Sequence, residues 1–379
     1  MVYKNFGNTG IKVSALGFGC MRLPGDNING SWEPDQDKID QMLMRAYELG
    51  VNYYDTAPGY CGGKSEIAVG KALKNVRNKV YFSTKCDLNG DNVNLRKELE
   101  RSLSKLDTGY IDFYHFWGIG KKHLEQYILN TTNIKDGPVG QALKAKEEGL
   151  IKHLSFSFHD SPEVMLKIID TGLFETVLCQ YNLLNRENEE GIKYAQSKGL
   201  GVVVMGPVAG GRIGAPSDTI ASMLPVKAQS SAEIALRFVI SAEGVSSALS
   251  GMKNIEMVEE NCRVLSNEEA LSEDENKKVR AALAENKKLA ELYCTGCKYC
   301  MPCPQNINIS KNFEAMNFYK VYGLLNHAKN VYNDIRPDKN NGERADKCTE
   351  CGICESKCPQ KIEIRKQLRE VAAALGEAV

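Results

Sequence analysis

The sequence predicts an α/β fold in which a (β/α)8 TIM barrel is followed by a small, mainly helical domain rich in cysteine. Three observations support this prediction. Short apolar runs recur through the first 250 residues, helical patterns separate them, and eight of the thirteen cysteines lie in the last quarter of the 379-residue chain. Strands that alternate with helices pair in parallel through crossover helices, and eight such units close a barrel.

The predicted barrel strands are eight apolar runs of four to six residues. Most of them are rich in β-branched and aromatic side chains, as strands are. In chain order they cover residues 15–19, 51–55, 80–85, 111–116, 153–158, 177–180, 201–205 and 247–250. In a barrel of this kind, catalytic groups lie at the carboxyl ends of the strands.

Helical patterns separate these runs. Between Asp35 and Leu49 the apolar residues recur with the helical period, and Gly50 stands where a glycine ends a helix. The leucines before strand four repeat the pattern: Leu95, Leu99, Leu103 and Leu106. The alternative fold, a doubly wound nucleotide-binding sheet, would need G-x-G-x-x-G after strand one. Residues 17–22 lack the third glycine, which favours the barrel.

The composition argues against nucleic-acid and membrane partners. Lys plus Arg and Asp plus Glu each number 48, so no net field favours a polyanion. No apolar run approaches the roughly 18 residues of a membrane span, and the first ten residues read as polar strand and turn. We therefore expect a cytoplasmic chain with reduced thiols.

Changes of pattern along the chain set the predicted domain boundaries. Residues 1–270 form the barrel, residues 271–292 a helical bridge, and residues 293–379 the cysteine domain. The bridge lies in an acidic, helix-prone stretch from Ser266 to Leu292, and the stretch from Asn312 to Asn333 is also predicted to be helical.

The cysteines of the last domain form two runs, each followed by a proline. C-x2-C-x2-C-x3-C-P is the bacterial ferredoxin pattern for 4Fe-4S clusters. The second run has this spacing, and the first is one residue shorter at its last interval. The eight residues are Cys294, Cys297, Cys300 and Cys303, then Cys348, Cys351, Cys354 and Cys358.

Each of the two predicted 4Fe-4S clusters takes cysteines from both runs. In two-cluster ferredoxins the fourth cysteine of each run binds the other cluster. Cys358 would then join the first three cysteines of the first run, and Cys303 the first three of the second. Zinc usually takes two C-x2-4-C pairs, and disulfides are rare where thiols stay reduced. A ferredoxin-like domain is therefore favoured over both.

The residues after strands two and three resemble those of the aldo-keto reductase family. Residues 55–60 read Asp-Thr-Ala-Pro-Gly-Tyr, residues 64–66 read Lys-Ser-Glu, and residues 83–85 read Ser-Thr-Lys. The likeness extends from about Tyr3 to Asn261, and members with a C-terminal ferredoxin-like domain match the whole chain. The resemblance implies an NAD(P)H-dependent oxidoreductase of aldehydes, ketones or the corresponding alcohols.

Carbonyl reduction needs hydride on carbon and a proton on oxygen, and three residues fit the second task. Free tyrosine, with a pKa of about 10, is a weak acid unless a cation favours the phenolate. Lys85 could supply that charge, and Asp55 could hold the lysine protonated, leaving Tyr60 as general acid. By resemblance, these positions carry the family's Lys, Asp and Tyr roles. Their joint placement at two strand ends predicts a catalytic site.

The family's fourth catalytic residue, a histidine near the end of strand four, has no match. An ungapped alignment puts Trp117 in its place, and His115 lies two residues earlier on the same face of the strand. Either His115 is recruited by a local shift, or the Trp117 indole N–H acts as substitute donor and His115 packs one layer below. The replacement could change the preferred substrate or abolish ordinary ketone reduction.

Later segments match the family's positions for a nicotinamide cofactor, NADP(H) or NAD(H). After strands five and six, three side chains could bind the carboxamide: Ser157 or His159, and Gln180. After strand seven, four residues match ring and pyrophosphate contacts: Met205, Gly206, Gly210 and Gly211. After strand eight, five match contacts to the ribose phosphate and adenine: Ser250, Gly251, Lys253, Glu260 and Asn261.

Two other functions stay open. The chain could be an iron-sulfur electron-transfer protein, linked to a flavin and a one-electron carrier protein, or a redox sensor whose reductase site is altered at Trp117. Nicotinamide delivers two electrons as hydride and a cluster accepts one, so direct coupling would need a splitter such as flavin. The sequence contains no flavin motif that supports this step. The clusters are therefore either structural or electron-carrying.

Overall fold

The computed structural model describes the chain as two compact units. The first contains Met1–Gly211 and Ala232–Ser272, and the second contains the described residues 230–231 and those from Glu273 onward. The described residues are 1–29, 31–88, 93–130, 136–183, 185–208, 230–266, 271–291, 300–320, 323–339, 341–358 and 362–376.

The first unit is a closed barrel of eight parallel strands, which confirms the predicted fold. The strands follow chain order around the barrel, and strand eight pairs with strand one. Their bounds are Leu16–Gly19, Tyr53–Asp55, Tyr81–Asp87, Ile111–Ile119, Ile151–Phe158, Thr176–Gln180, Gly201–Met205 and Val245–Ser250. Every predicted strand is present, and no end differs by more than three residues.

Helices connect the barrel strands, and side-chain caps mark where several of them begin. The side-chain oxygens of Asp35, Asn94 and Asn254 each accept a hydrogen bond from the backbone N–H three residues later. The bounds of the helices of at least eight residues in this unit are Gln36–Glu48, Ser65–Leu73, Leu95–Lys105, Pro138–Glu147, Pro162–Ile169, Glu189–Ser197, Ser231–Ser241 and Ile255–Val264. In the described part of the chain, no helix has the length and apolar character to cross a membrane.

An N-terminal hairpin packs into the amino end of the barrel. Tyr3–Asn5 pairs antiparallel with Lys12–Ser14, and the Phe6 ring centre lies 4.9 Å from that of Phe113 in strand four. The buried side chains packed together here are Phe6, Val13, Tyr53, Phe113, Leu178, Val203 and Leu249. This end of the barrel is therefore apolar, and the polar groups of interest lie toward the opposite, carboxyl end.

Two glycines of this hairpin offer a matched test of its packing. Gly7 and Gly10 both have positive φ, but a Cβ at Gly7 would lie 2.3 Å from the Gly201 nitrogen, whereas nothing lies within 4 Å of one at Gly10. A left-handed conformation costs an L-residue about 1–2 kcal/mol. We expect Gly10→Ala to lower the thermal unfolding midpoint slightly and Gly7→Ala to lower it much further. Equal losses in calorimetry would contradict the packing on strand seven.

A second hairpin follows barrel strand one, where the sequence predicted no strands. Gly25–Ile28 pairs antiparallel with Ser31–Pro34. The Trp32 indole packs so closely on Gly25 that a Cβ there would lie 2.6 Å from the ring. Lys64 forms an ion pair with Glu33, so the hairpin is held to the turn that follows strand two.

The second unit is mainly helical. Its helices are Glu273–Glu291, Ile309–Lys320, Leu325–Asn333, Ile353–Lys357 and Ile364–Leu375. The stretch predicted to be helical from Asn312 to Asn333 contains two helices, and Gly323 between them has a φ of 65°. The buried Asn312 amide joins distant segments, because its nitrogen donates to Glu343 O at 3.2 Å and its oxygen accepts from Ala345 N at 2.8 Å.

Candidate functional site

Asp55 and Lys85 form a buried ion pair near the carboxyl ends of barrel strands two and three. The Lys85 Nζ lies 2.8 and 2.7 Å from the two Asp55 carboxylate oxygens, and it donates to the Thr56 backbone oxygen at 2.7 Å. Only 3% of Asp55 and 2% of Lys85 is exposed. Buried charges are tolerated only when they are paired and hydrogen-bonded, and these two meet both conditions.

The turn after strand two brings Tyr60 to this pair. Tyr60–Gly63 forms a single helical turn, in which Cys61 and Gly62 have left-handed φ values of 53° and 61°. This turn leaves the Lys85 Nζ 4.9 Å from the centre of the Tyr60 ring. The structure therefore brings together the three residues that the sequence assigned to proton transfer.

Burial and charge set the protonation of this trio. Burial raises the pKa of the Tyr60 hydroxyl above its ordinary value, and the Lys85 charge opposes this only in part. Burial alone would lower the pKa of Lys85, but the Asp55 carboxylate and Tyr60 raise it above its ordinary value. At neutral pH the site therefore holds a protonated phenol beside an ammonium group. The Lys85 charge was apparent from the sequence, whereas the burial of Tyr60 is apparent only from the structure.

Hydroxyl groups to which the sequence analysis assigned no role anchor the Tyr60 turn. The Thr56 and Ser65 hydroxyls lie 2.8 Å apart, and Ser65 donates to the Cys20 backbone oxygen at 2.8 Å. Thr84 donates to the buried Glu66 carboxylate at 2.7 Å. Ser65 thus joins the end of the turn to Thr56 after strand two and to Cys20 after strand one. Glu66 joins the same end to Thr84 in strand three.

Trp117 lies at the mouth of the barrel beside Tyr60. Its ring meets the Tyr60 ring edge-on, with centres 5.9 Å apart. The benzene edge of the indole also packs on Gly59, where a Cβ would lie 3.3 Å from the ring. Glycine at position 59 therefore leaves room for the indole beside Tyr60.

His115 lies deeper in the barrel than Trp117. It is fully buried and stands beside Lys85 in the pairing of strands three and four. Its Nε2 lies 2.9 Å from the Ser83 hydroxyl, and Ser83 donates to Asp55 Oδ1 at 2.7 Å. Burial and the Lys85 charge lower the pKa of His115 to about 3, so the ring is neutral at physiological pH. Trp117 and His115 lie on one strand but differ in their surroundings. Trp117 packs on Tyr60 at the barrel mouth, and His115 is buried beside Lys85.

The side chains expected to contact a nicotinamide lie at the ends of strands five to seven. The buried Ser157 hydroxyl accepts a hydrogen bond from Gly118 N at 2.7 Å and keeps its own proton to donate. His159 follows strand five and is exposed, and Gln180 and Met205 end strands six and seven, half-buried. Gly206 has a φ of 64°, while Gly210 and Gly211 lie outside the described residues.

The residues after strand eight form a smaller group. Ser250 ends the strand, and its hydroxyl accepts a hydrogen bond of 3.0 Å from the buried Asn261 amide. A Cβ at Gly251 would lie 3.8 Å from Gly19 O, so this turn packs against the end of strand one. Lys253 is exposed and Glu260 half-buried. The structure brings Ser250 and Asn261 into contact and leaves Lys253 accessible to a ligand.

In the second unit, cysteines from both runs line one pocket. They are Cys300 and Cys303 from the first run and Cys348, Cys351 and Cys354 from the second. Apolar side chains such as Ile307 and Leu368 complete the lining, together with Arg365. Cys294 and Cys297 lie outside the described residues, and Cys358 does not line this pocket. Within the described residues, no three His, Cys, Asp or Glu side chains converge on a single-ion site.

The donor set of this pocket fits an iron-sulfur cluster. Such clusters are held by four cysteine thiolates, and the pocket offers thiols from two separated parts of the chain. Cys303 and the first three cysteines of the second run are the set that the crossed ferredoxin pattern requires. The structure therefore brings these four cysteines to one pocket, together with Cys300, which the crossed pattern assigns to the other cluster.

Comparison with known proteins finds two family matches along the chain. Residues 15–284 match the Aldo/keto reductase family, and residues 293–363 match a 4Fe-4S dicluster domain. L-galactose dehydrogenase of Arabidopsis thaliana is 29% identical over 298 residues, which is 71% of this chain and 89% of that protein. Aldo-keto reductase AFTS1 of Alternaria alternata is 30% identical over 248 residues, which is 57% of this chain and 68% of that protein.

Solved structures agree with these sequence matches. An aldo-keto reductase from Bacillus halodurans superposes with a TM-score of 0.62 and 26% identity, over 74% of this chain and 96% of that one. An aldo/keto reductase from Klebsiella pneumoniae, solved in complex with NADP and acetate, has a TM-score of 0.59 and 25% identity, over 73% and 93%. The chain is therefore an oxidoreductase of the aldo/keto reductase family that carries a C-terminal 4Fe-4S domain.

Proposed function

We propose that this protein uses NADPH or NADH to reduce an aldehyde or ketone, or oxidises the corresponding alcohol, at the barrel mouth. The observation that supports this most directly is the buried Asp55–Lys85 pair beside Tyr60. The related Klebsiella protein was solved with NADP, which supports a nicotinamide cofactor here. The bound nicotinamide would supply the hydride, and this chain's residues would supply the proton.

The proton step follows from the protonation states. Tyr60 is a phenol at neutral pH and can donate its proton to the carbonyl oxygen as that oxygen gains negative charge. Lys85, kept charged by Asp55, stabilises the phenolate that remains. A proton from solvent then restores the phenol. In alcohol oxidation the same groups act in reverse, with the phenolate as base.

The cofactor would lie across the ends of strands five to eight. We assign Ser157, His159 and Gln180 to the carboxamide, because their polar groups lie at neighbouring strand ends. Met205 and Gly206 would contact the ring, with Gly210 and Gly211 at the pyrophosphate. The groups assigned to the ribose phosphate and adenine are Ser250, Gly251, Lys253, Glu260 and Asn261.

A nucleotide-binding assay and a turnover assay together test the proposed function. NADPH and NADH binding would be measured by fluorescence, and their oxidation followed with a panel of small aldehydes, ketones and quinones. We expect tight binding of one nucleotide and turnover of at least one carbonyl class. Binding without turnover of any carbonyl or alcohol would contradict the reductase and favour a sensor with an altered site.

The next prediction concerns Trp117, which stands where the family resemblance implies a histidine donor. We propose that its indole N–H serves as the donor to the carbonyl oxygen. Trp117→Phe keeps an aromatic ring but removes this N–H, and we expect it to lower kcat by about 10²-fold, the usual effect of losing one such donor. Trp117→His should keep or raise kcat for simple ketones. Wild-type turnover by Trp117→Phe would show that the indole only packs.

We propose two 4Fe-4S clusters in the second unit, with crossed ligand sets. Cys303 would join Cys348, Cys351 and Cys354 at one cluster, as the lining of the pocket supports. The other would take Cys358 with Cys294, Cys297 and Cys300 from the first run. A chain that keeps these thiols reduced suits the cytoplasm. Hydride transfer in the barrel does not require the clusters, so we assign them an accessory role.

Whether the clusters carry electrons can be read from their spectra. Direct exchange with a two-electron hydride donor would need a splitter such as flavin. If the clusters are accessory, NADPH alone should leave their visible absorbance unchanged under anaerobic conditions. Rapid bleaching by NADPH would favour the electron-transfer function instead.

A further inference from the structure

A hydrogen-bonded chain runs from His115 to the catalytic ion pair. The His115 Nε2 lies 2.9 Å from Ser83 Oγ, and Ser83 Oγ lies 2.7 Å from Asp55 Oδ1. His115 and Ser83 have no exposed surface, and Asp55 has 3%. Three polar groups in a row are thus shielded from water, where a hydrogen bond that fails to form is costly.

The direction of these bonds follows from the number of protons available. An ionised carboxylate only accepts, so the single Ser83 hydroxyl proton points to Asp55. Ser83 must then accept from His115, which requires the ring proton to be on Nε2. The neutral ring has one such proton, so Nδ1 carries a lone pair, and Nδ1 has no hydrogen-bond partner among the described residues.

The other tautomer would reverse this chain. A hydrogen bond of the imidazole with the Phe156 backbone would alone raise the pKa of His115, and a proton on Nδ1 would be the one available to it. The bare Nε2 would then accept the Ser83 proton, because Ser83 has only one to give. Asp55 Oδ1 would lose that hydrogen bond and keep only Lys85. The tautomer of one buried ring therefore decides how the catalytic carboxylate is held.

We propose that His115 is a positioning residue for the reaction, which as its Nε2–H tautomer directs the Ser83 hydroxyl onto Asp55 and so fixes the carboxylate that holds Lys85 beside Tyr60. This inference rests on the proposed function. His115 does not touch Tyr60 through this chain, since Ser83, Asp55 and Lys85 lie between them. Its effect on catalysis passes through the orientation of Asp55.

The orientation of Asp55 matters because both of its oxygens are used. Oδ1 accepts from Ser83 and from Lys85, whereas Oδ2 accepts from Lys85 alone. A carboxylate held by lysine alone could rotate and draw the amine with it. The Lys85 Nζ is 4.9 Å from the centre of the Tyr60 ring, so a small shift would weaken its effect on the phenolate.

A double-mutant cycle tests whether His115 acts through Ser83. We expect His115→Leu and Ser83→Ala each to lower kcat by about tenfold, the size of one hydrogen bond to a charged group. KM should change little, whereas the thermal unfolding midpoint should fall because each change leaves a buried polar group without its partner. If His115 works only through Ser83, the double variant is no slower than Ser83→Ala alone. Effects that multiply would overturn the proposal.

Two conservative variants show whether His115 acts through a donor at the place of Nε2 or only fills space. A glutamine amide reaches the place of Nε2 and an asparagine amide that of Nδ1, and both side chains donate N–H. His115→Gln should therefore recover most of the activity lost in His115→Leu, and His115→Asn should not. Equal activity of the two amide variants would mean that the side chain only fills space.

The ring tautomer can be measured without any substrate. In protein labelled with 15N-histidine, the two ring nitrogens of His115 are distinguished by their chemical shifts, and the His115→Gln spectrum assigns them. We expect a proton on Nε2 and none on Nδ1 across neutral pH. A proton on Nδ1 would overturn the inference even if carbonyls are reduced, whereas a protein with the expected tautomer and no turnover would contradict only the proposed function.

Discussion

Replacing Tyr60 with phenylalanine is expected to remove most carbonyl reduction. The variant keeps the ring that packs on Trp117 and faces Lys85, but it loses the hydroxyl proton that we assign to the carbonyl oxygen. General acid catalysis contributes about 10²–10⁴-fold, so kcat should fall by that factor. The nucleotide Kd should stay unchanged, because Tyr60 is not among the groups assigned to the cofactor. Stopped-flow turnover and fluorescence titration would measure the two quantities.

The pH dependence provides the control for this variant. Burial holds the pKa of Tyr60 above its ordinary value, so the phenol remains the acid through the neutral range and carbonyl reduction should stay level there. Reduction should fall only at alkaline pH, where the phenol ionises. The remaining activity of Tyr60→Phe should lack this alkaline fall. Comparable turnover in the two proteins would refute the acid role.

Cys303→Ser and Cys351→Ser are each expected to remove the same cluster, although 47 residues lie between the two positions. Both side chains line one pocket with Cys348 and Cys354. If the ligands cross between the runs, each variant should lose about four of about eight iron atoms per chain. Anaerobic iron and sulfide analysis would measure this. Cys262→Ala, at a buried cysteine of helix Ile255–Val264, is the matched control and should keep its iron.

The double variant separates the crossed arrangement from the uncrossed one. With crossed ligands, Cys303→Ser combined with Cys351→Ser should lose no more iron than either change alone. If each run held its own cluster, the double variant would lose both. Visible absorbance should follow the iron content in each protein, and unchanged iron in both single variants would rule out ligation by these cysteines.

Much of the fold can be read from the sequence because the local patterns agree with the global topology. Each barrel strand is an apolar run, and the helices between them have a regular apolar face, as Ile39, Met42, Leu43 and Ala46 show. The hairpin of Gly25–Ile28 and Ser31–Pro34 was missed because its strands are polar, although the sequence Asn29-Gly30 between them is a hairpin signal. The two helices between the cysteine runs were predicted as one helical stretch. Gly323 is the one strong signal for a helix end between them.

The sequence predicts those residues of the candidate site that lie together in short motifs. Asp55 and Tyr60 lie in one motif, and Lys85 ends a recognisable segment. The role of Ser83 was not visible, because it depends on contacts from strand three to Asp55 in strand two and His115 in strand four. The contact of Gly59 with Trp117 could not be predicted either, because it joins the turn after strand two to strand four. Side chains brought together across strands need coordinates to be recognised.

Transfer of a labelled hydride tests the central claim most directly. NADPH or NADH deuterated at C4 of the nicotinamide would be supplied anaerobically with a carbonyl that the protein turns over, and the product examined by mass spectrometry and NMR. The account predicts one deuterium on the carbinol carbon of each product molecule, with no bleaching of the cluster absorbance during turnover. Product without deuterium, formed while the clusters bleach and recover, would contradict hydride transfer in the barrel.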